Sequence, residues 1–266
     1  MKWKGWYAER CAWYCSEKKY GQHFLRQQAY IHQMIDQVSL DENSSVFEIG
    51  GGDGALTRVI LEHALERLWV FEIDSEWAAY LKETISDERL EVIETNILDS
   101  DFSIFEKNKP WILLANLPYQ ITFPILYRLQ EHRDILQEGV IMIQEEVAQK
   151  ILKTHGRGYG YPSLLLQHYF EWKKLAKVPP SAFYPPPKVF SRLLYFKPRK
   201  AMKPIPDEEN FWKFIKICFR QPRRTLRNNL MQAHFDSASI PENYLGLRAQ
   251  QLGMNDLLDL WKVINK

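Results

Sequence analysis

The chain has 266 residues, of which 45% are hydrophobic, enough for one sizeable core with a smaller appendage and too many for a disordered segment. Its sequence has no apolar run long enough for a membrane span, its aromatic N-terminus is interrupted by Lys, Glu and Arg, and Cys11, Cys15 and Cys218 lack C-x-x-C spacing, so a cytoplasmic protein without membrane segment, secretory leader, disulfide framework or metal site is expected. The net charge of +2 conceals an acidic block, residues 41–150 at −13, flanked by +3 over residues 1–40 and +12 over residues 151–266, a distribution suited to gripping a polyanion by the basic ends.

In chain order, Val46–Ile49 reads as a buried strand, followed by a glycine turn and a helix over Ala55–His63. Leu68–Ile73 is the next strand and Glu76–Ile85 the next helix. Leu90–Glu94, Trp111–Ala115 and Gly139–Ile143 are further strands, with helices at Pro124–Glu131 and Glu145–Leu152. This alternation predicts an α/β fold with a parallel sheet covered on both faces. Beyond Tyr161 come a helix over Ser163–Phe170, a strand over Lys173–Val178, the proline-rich loop Pro179–Pro187 and a last strand over Phe190–Phe196. Lys197–Pro206 reads as a linker. Asp207–Phe219, Pro222–His234, Tyr244–Leu252 and Asn255–Ile264 read as helices of a small all-α domain, so residues 1–200 and 201–266 are expected as two domains.

The segment from Phe47 to Thr57 holds Gly50, Gly51, Gly52 and Gly54 between a strand and a helix. Glycines there turn the backbone tightly and let a ligand approach it. Glu72 closes the second strand, where a carboxylate can accept both hydroxyls of a ribose. NAD and S-adenosylmethionine both carry such a ribose, and Gly50-x-Gly52-x-x-Ala55 also fits the dinucleotide fingerprint. The acidic Glu48 inside the strand end resembles the first motif of class I methyltransferases and tilts the choice toward the methyl donor.

Asn116-Leu117-Pro118-Tyr119 follows the strand over Trp111–Ala115, at the sheet edge where open α/β folds bind ligands. It resembles the N/D-P-P-Y box of amino-methyltransferases. An adenine N6 amine is a poor nucleophile because its lone pair is delocalised into the ring. The Asn116 side-chain carbonyl and the Leu117 main-chain carbonyl can both accept from N6–H and localise that pair. Pro118 stiffens the loop, and Tyr119 offers a flat surface for an extruded base.

With these segments in order, the chain resembles the KsgA-type ribosomal RNA small-subunit adenine N6-dimethyltransferases over residues 18–265. Lys19-Tyr20-Gly21-Gln22-His23-Phe24-Leu25 is similar to the family's opening motif, which closes over the methyl donor. The resemblance implies S-adenosylmethionine as cofactor, held by His23, Leu25, Gly50, Gly52, Glu72, Asn96 and Asn116. Phe183, in the Phe-x-Pro-Pro-Pro-x-Val stretch, is implied as a second stacking surface opposite Tyr119. Phe219–Leu230 matches the family's basic helix, so Arg220, Arg223, Arg224 and Arg227, with Lys188, are expected to contact RNA phosphates. The implied activity is dimethylation of two adjacent adenosines in a 3′-terminal hairpin loop of small-subunit rRNA, in the small subunit or its precursor, by a monomer. Two positions depart from the family: His23 stands where Asn is usual, and Asn96 where Asp is usual. Residues 1–17, with Trp3, Trp6, Tyr7, Trp13 and Tyr14, have no clear counterpart.

Two other readings share some of these features. A resistance-type methyltransferase of large-subunit rRNA would keep the glycine turn and the tetrapeptide; the triple proline at 185–187 and the arginine cluster favour the small-subunit type. An RNA-binding module that had lost turnover would not need Glu72 and the tetrapeptide intact.

Overall fold

The computed structural model describes residues 23–264; the N-terminal aromatics, Cys11, Cys15 and the first part of the opening motif lie outside them. Two compact units divide the chain. One takes the residues up to Glu145 together with Trp172–Pro198, the other Glu146–Glu171 together with Arg199 onward. The single boundary expected at residue 200 therefore becomes three crossings, because residues 146–171 pack with the C-terminal helices. Among the described residues no helix is long and apolar enough to cross a membrane.

The first unit is built on strands β1 (Phe24–Leu25), β2 (Ser45–Ile49), β3 (Arg67–Glu72), β4 (Leu90–Glu94), β5 (Trp111–Asn116), β6 (Leu136–Gln144), β7 (Phe170–Val178), β8 (Phe183–Tyr184) and β9 (Ser191–Pro198). Seven of them form one sheet in the order β4-β3-β2-β5-β6-β9-β7. Helices α1 (Gln28–Ile35), α2 (Ala55–Leu61), α3 (Ser75–Thr84) and α4 (Thr122–Glu131) complete the unit. From β2 the chain steps outward through β3 to β4, then returns to the other side of β2 as β5. Pairs β2–β3, β3–β4, β2–β5 and β5–β6 are parallel, so the carboxyl ends of β2 and β5 flank the point where the order reverses. A crevice opens at such a point.

The sheet is mixed, not parallel: β9 runs antiparallel to β6, Gly139 opposite Phe196. An antiparallel neighbour needs no crossover helix, and the proline loop delivers β9 from the opposite direction.

Period-two alternation sorts the strands' side chains into two layers. Val46, Leu68, Val70, Ile112, Leu114, Val140 and Met142 enter an aliphatic cluster with Leu56, Val59 and Ile60 of α2. Phe47, Phe71 and Trp111 project the other way, onto Phe105 at centroid distances of 4.9, 5.5 and 5.1 Å. Burying each such phenylalanine contributes about 1.5–3 kcal/mol. Glu48, Glu72 and Asn116 occupy the aliphatic-face register at the carboxyl ends of their strands, which is how polar groups reach the crevice.

Helix α1 and strands β1 and β8 are among the elements that the sequence pattern does not announce. Helix α1 buries Ile31, Met34 and Ile35, a stripe too short for periodicity to announce. Strands β1 and β8 form a separate two-stranded antiparallel ribbon, Phe24 opposite Tyr184 and Leu25 opposite Phe183.

The second unit holds α5 (Glu145–Leu152), α6 (Tyr161–Tyr169), α7 (Glu208–Cys218), α8 (Leu226–Gln232), α9 (Glu242–Leu245) and α10 (Met254–Ile264). Its core includes Phe211, Phe214, Ile215, Leu230, Leu257 and Trp261. The Tyr169 hydroxyl accepts from Trp212 Nε1 at 3.0 Å, tying α6 to α7. The helix expected over Pro222–His234 begins only at Leu226, where Thr225 caps it by accepting from Asn228 N. The helix expected over Tyr244–Leu252 breaks at Gly246 into α9 and a short 3₁₀ turn, Ala249–Gln251.

Candidate active site

The glycine turn leaves β2 with Gly50 at φ +78° and Gly52 at φ +50°, conformations that side chains rarely adopt. Gly52 is also confined in space: a Cβ there would lie 3.0 Å from the Phe24 ring. Gly50 N–H donates to Phe71 O at 2.8 Å, which anchors the turn to β3. Glu72, 2% exposed, accepts from Gly52 N at 2.8 Å through Oε2 and from Asp74 N at 2.9 Å through Oε1. Burial raises its pKa against the lowering effect of these backbone donors. Beneath the turn, Glu48 accepts from Thr57 Oγ1 at 2.7 Å. Burial pushes the Glu48 carboxyl well above the usual range; the Thr57 bond opposes this, and the Glu72 and Asp53 charges reinforce it.

At the end of β5, Leu117 N–H donates to Met142 O at 3.0 Å and fixes the tetrapeptide to β6. Asn116 Nδ2 donates to His23 O at 3.1 Å, so the oxygen end of the amide is the one that can meet a substrate amine. Pro118 O accepts from Ile121 N and Thr122 Oγ1, both at 3.2 Å, closing the loop onto α4. The Tyr119 hydroxyl shares a 2.7 Å hydrogen bond with Oγ of the fully buried Ser191.

The β1–β8 ribbon borders both segments. Phe24 packs on Trp77 at 5.1 Å, and Arg26 forms an ion pair with Asp53 in the glycine turn. No sequence motif assigns Ser191, Phe24 or the Arg26–Asp53 pair a role in the site. A residue four places past the triple proline carries no pattern that ties it to a tyrosine in another loop.

His23, Leu25, Gly50, Gly52, Glu72, Asn96 and Asn116 line one cavity, together with Leu117, Pro118 and Tyr119. Ile73, Thr95 and Ile97 complete its wall beside Asn96. The Asn96 side chain turns back on its own loop, its Oδ1 accepting from Leu98 N at 3.1 Å and its Nδ2 donating to Asp99 Oδ2 at 2.9 Å. The carboxylate that this loop carries is thus Asp99, three residues on.

Phe183 does not join them. It is 4% exposed and packs in the aliphatic cluster with Leu25, Val178 and Ala182, so it offers no open face to a base. The exposed ring of that strand is Tyr184. Lys188 is exposed on the proline loop, outside the cavity.

In the helical unit the four arginines are exposed, but they do not share a helix. Arg220, Arg223 and Arg224 sit in the turn between α7 and α8, and only Arg227 is helical, paired with Glu242. The buried Asn229 braces this turn, accepting from Gln221 N at 3.0 Å and donating to Gln221 O at 3.2 Å.

An open sheet with a glycine turn and a buried strand-end acid on one side of its switch point, and Asn-Leu-Pro-Tyr on the other, defines a Rossmann-like methyltransferase with a helical C-terminal region. A family model described as ribosomal RNA adenine dimethylase matches residues 15–259, and the chain belongs to that family. It is 35% identical over 247 residues to the ribosomal RNA small subunit methyltransferase A of Chlorobaculum tepidum, covering 92% of this chain and 88% of that one. The protein of the same name from Laribacter hongkongensis is 38% identical over 216 residues, 80% of this chain and 82% of that one. Among solved structures, a dimethyladenosine transferase from Plasmodium falciparum superposes with a TM-score of 0.75 at 22% identity, covering 91% and 98% of the two chains. The 23S rRNA methyltransferase ErmE superposes at 0.69 and 22% identity, covering 91% and 100%. Family membership makes the chain a methyltransferase acting on ribosomal RNA, with a methyl donor of the S-adenosylmethionine type.

Proposed function

We propose that the chain transfers methyl groups from S-adenosylmethionine to N6 of two adjacent adenosines in a 3′-terminal hairpin loop of small-subunit rRNA, two to each, during ribosome assembly. The observation that carries this reading is the Asn116–His23 hydrogen bond, which leaves the amide oxygen as the acceptor end at the cavity.

The residues present suit the cofactor. Glu72 is a buried carboxylate whose two oxygens each receive one backbone donor, and a carboxylate oxygen can accept more than one bond, so ribose hydroxyls can add to them. The side-chain-free edge of Gly50 and Gly52 and the apolar Ile73 and Ile97 suit the rest of a nucleoside. When bound, S-adenosylmethionine supplies an electrophilic methyl group. Asn116 Oδ1 and the Leu117 carbonyl accept from N6–H and turn the amine lone pair out of conjugation. Tyr119 supports the extruded base, held at its hydroxyl by Ser191. The extra proton on the methylated amine leaves to water.

Arg220, Arg223, Arg224, Arg227 and Lys188 serve as phosphate contacts in this reading, and the target is structured rRNA in the small subunit or its precursor. The names of the relatives favour the small subunit over the large one. Transfer of labelled methyl groups to isolated small and large subunits, followed by mass mapping of the modified adenosines, tests it. Label in the large subunit alone would replace this reading with the resistance-type one.

A further inference from the structure

The burial of Phe183 leaves Tyr119 without the partner ring expected for it, and the structure holds another. The His23 ring lies 5.7 Å from the Tyr119 ring, centroid to centroid, with the planes tilted by 34°. Both residues are half-buried and both line the cavity at the tetrapeptide. Resting on the function proposed above, we propose that His23 is a target-base residue: its imidazole extends the Tyr119 surface into a two-ring aromatic wall on which the extruded adenine stacks.

Two hydrogen bonds support this role. His23 Nδ1 lies 2.8 Å from Pro185 O. A carbonyl oxygen can only accept, so Nδ1 carries the hydrogen, which fixes the ring's orientation. The His23 carbonyl receives Asn116 Nδ2, so the backbone that carries the ring also aims the amide at the reacting amine. His23 thereby joins the opening segment, the tetrapeptide and the proline loop at a single residue. The spacing also limits the geometry. At 5.7 Å the two rings are too close to sandwich a base, which needs roughly 7 Å between flanking planes by ordinary ring contact distances. The wall is therefore one bent surface, and a base on Tyr119 abuts His23.

A cofactor contact made by the imidazole would give a different signature, and three variants separate the two. His23→Ala removes ring and hydrogen bond, His23→Asn keeps an amide donor for Pro185 O without a ring, and His23→Phe keeps a ring without the donor. The readouts are kcat/KM for methyl transfer to small subunits from methylation-deficient cells, and the calorimetric Kd for S-adenosylmethionine, which also reports folding. His23→Ala and His23→Asn are expected to lose about tenfold in kcat/KM, in line with one base–aromatic stacking contact, with S-adenosylmethionine affinity within about twofold. His23→Phe recovers most of that loss. Unchanged kcat/KM in His23→Asn, failure of Phe to outperform Asn, or a loss confined to S-adenosylmethionine affinity would each overturn the assignment. Wild-type protein that binds S-adenosylmethionine yet modifies neither subunit would instead overturn the function on which the assignment rests.

Discussion

Gly52 N–H donates to Glu72 Oε2 at 2.8 Å, so the glycine that gives the turn its close approach is fastened to the acid proposed above for the ribose. Glu72→Gln would set an amide against two backbone donors, and one of them would face an NH₂ group. Hydrogen bonds to charged groups carry about 1.5–3 kcal/mol, so S-adenosylmethionine affinity should fall by about tenfold to a hundredfold. Calorimetry reads this directly; an unchanged Kd would remove Glu72 from the cofactor site.

Asn116→Ala deletes the acceptor proposed above for the reacting amine while leaving Tyr119 and the glycine turn in place. Turnover should drop on the order of 100-fold, with RNA affinity changed far less, as for a lost preorganised acceptor. Single-turnover methylation of small subunits beside a binding titration separates the two. Near-normal turnover would mean that the amide has no part in the chemistry.

Glu48 gives a dependence of stability on pH. Its folded-state pKa lies well above the ordinary value of 4.5, so between the two values the folded chain binds a proton that the unfolded chain has released. Stability contributed by this group is complete below the unfolded value and declines as pH rises through the folded one. Glu48→Gln can still accept from Thr57 and cannot ionise. As pH rises from the ordinary value of 4.5 through the raised one, wild type should lose more thermal stability than Glu48→Gln. Parallel melting curves for the two proteins would contradict the burial argument.

Reversing Arg223 and Arg224 to Glu should sharply weaken RNA binding and leave S-adenosylmethionine affinity intact, since every residue lining the cavity at the glycine turn belongs to the other unit. The arginines sit on a braced turn, so their replacement removes the proposed phosphate contacts without unwinding a helix. A salt titration should show a slope of log K against log salt shallower by about one to two in the residual binding. Equal affinity and equal slope would reduce the turn to a solvated surface.

Much of the catalytic unit could be read from its residues because central strands such as Trp111–Asn116 are apolar runs that end on a polar residue. Leu90–Glu94 and Glu145–Leu152 fall at their expected bounds, and the acid and tetrapeptide lie at strand ends as expected. The errors lie where local pattern gives no information. The direction of β9 is set by what it pairs with, and the sequence of Ser191–Pro198 reads the same either way. Phe183 and Tyr184 alternate across a two-residue strand, and which ring faces the core depends on the register with Phe24 and Leu25. The arginine segment looks helical by composition, yet Pro222 lies within it, and the side chain of Asn229 holds Gln221 in a turn that helix propensity does not anticipate.

The threefold crossing of the chain between its units governs how the protein can be cut. A fragment ending at Lys200 keeps residues 146–171 but loses the helices they pack with, stranding the buried Leu164, Leu165, Leu166 and Tyr169 and removing Trp212 from the Tyr169 hydroxyl. Such a fragment should aggregate even though its sheet and the cavity at the glycine turn are complete in sequence. A soluble catalytic piece requires a short linker in place of residues 146–171 as well as the C-terminal cut. By the same topology, an exchange of helical regions between two relatives through one recombination point near residue 200 would mix incompatible halves of a single hydrophobic core, whereas an exchange that carries both segments would move it whole.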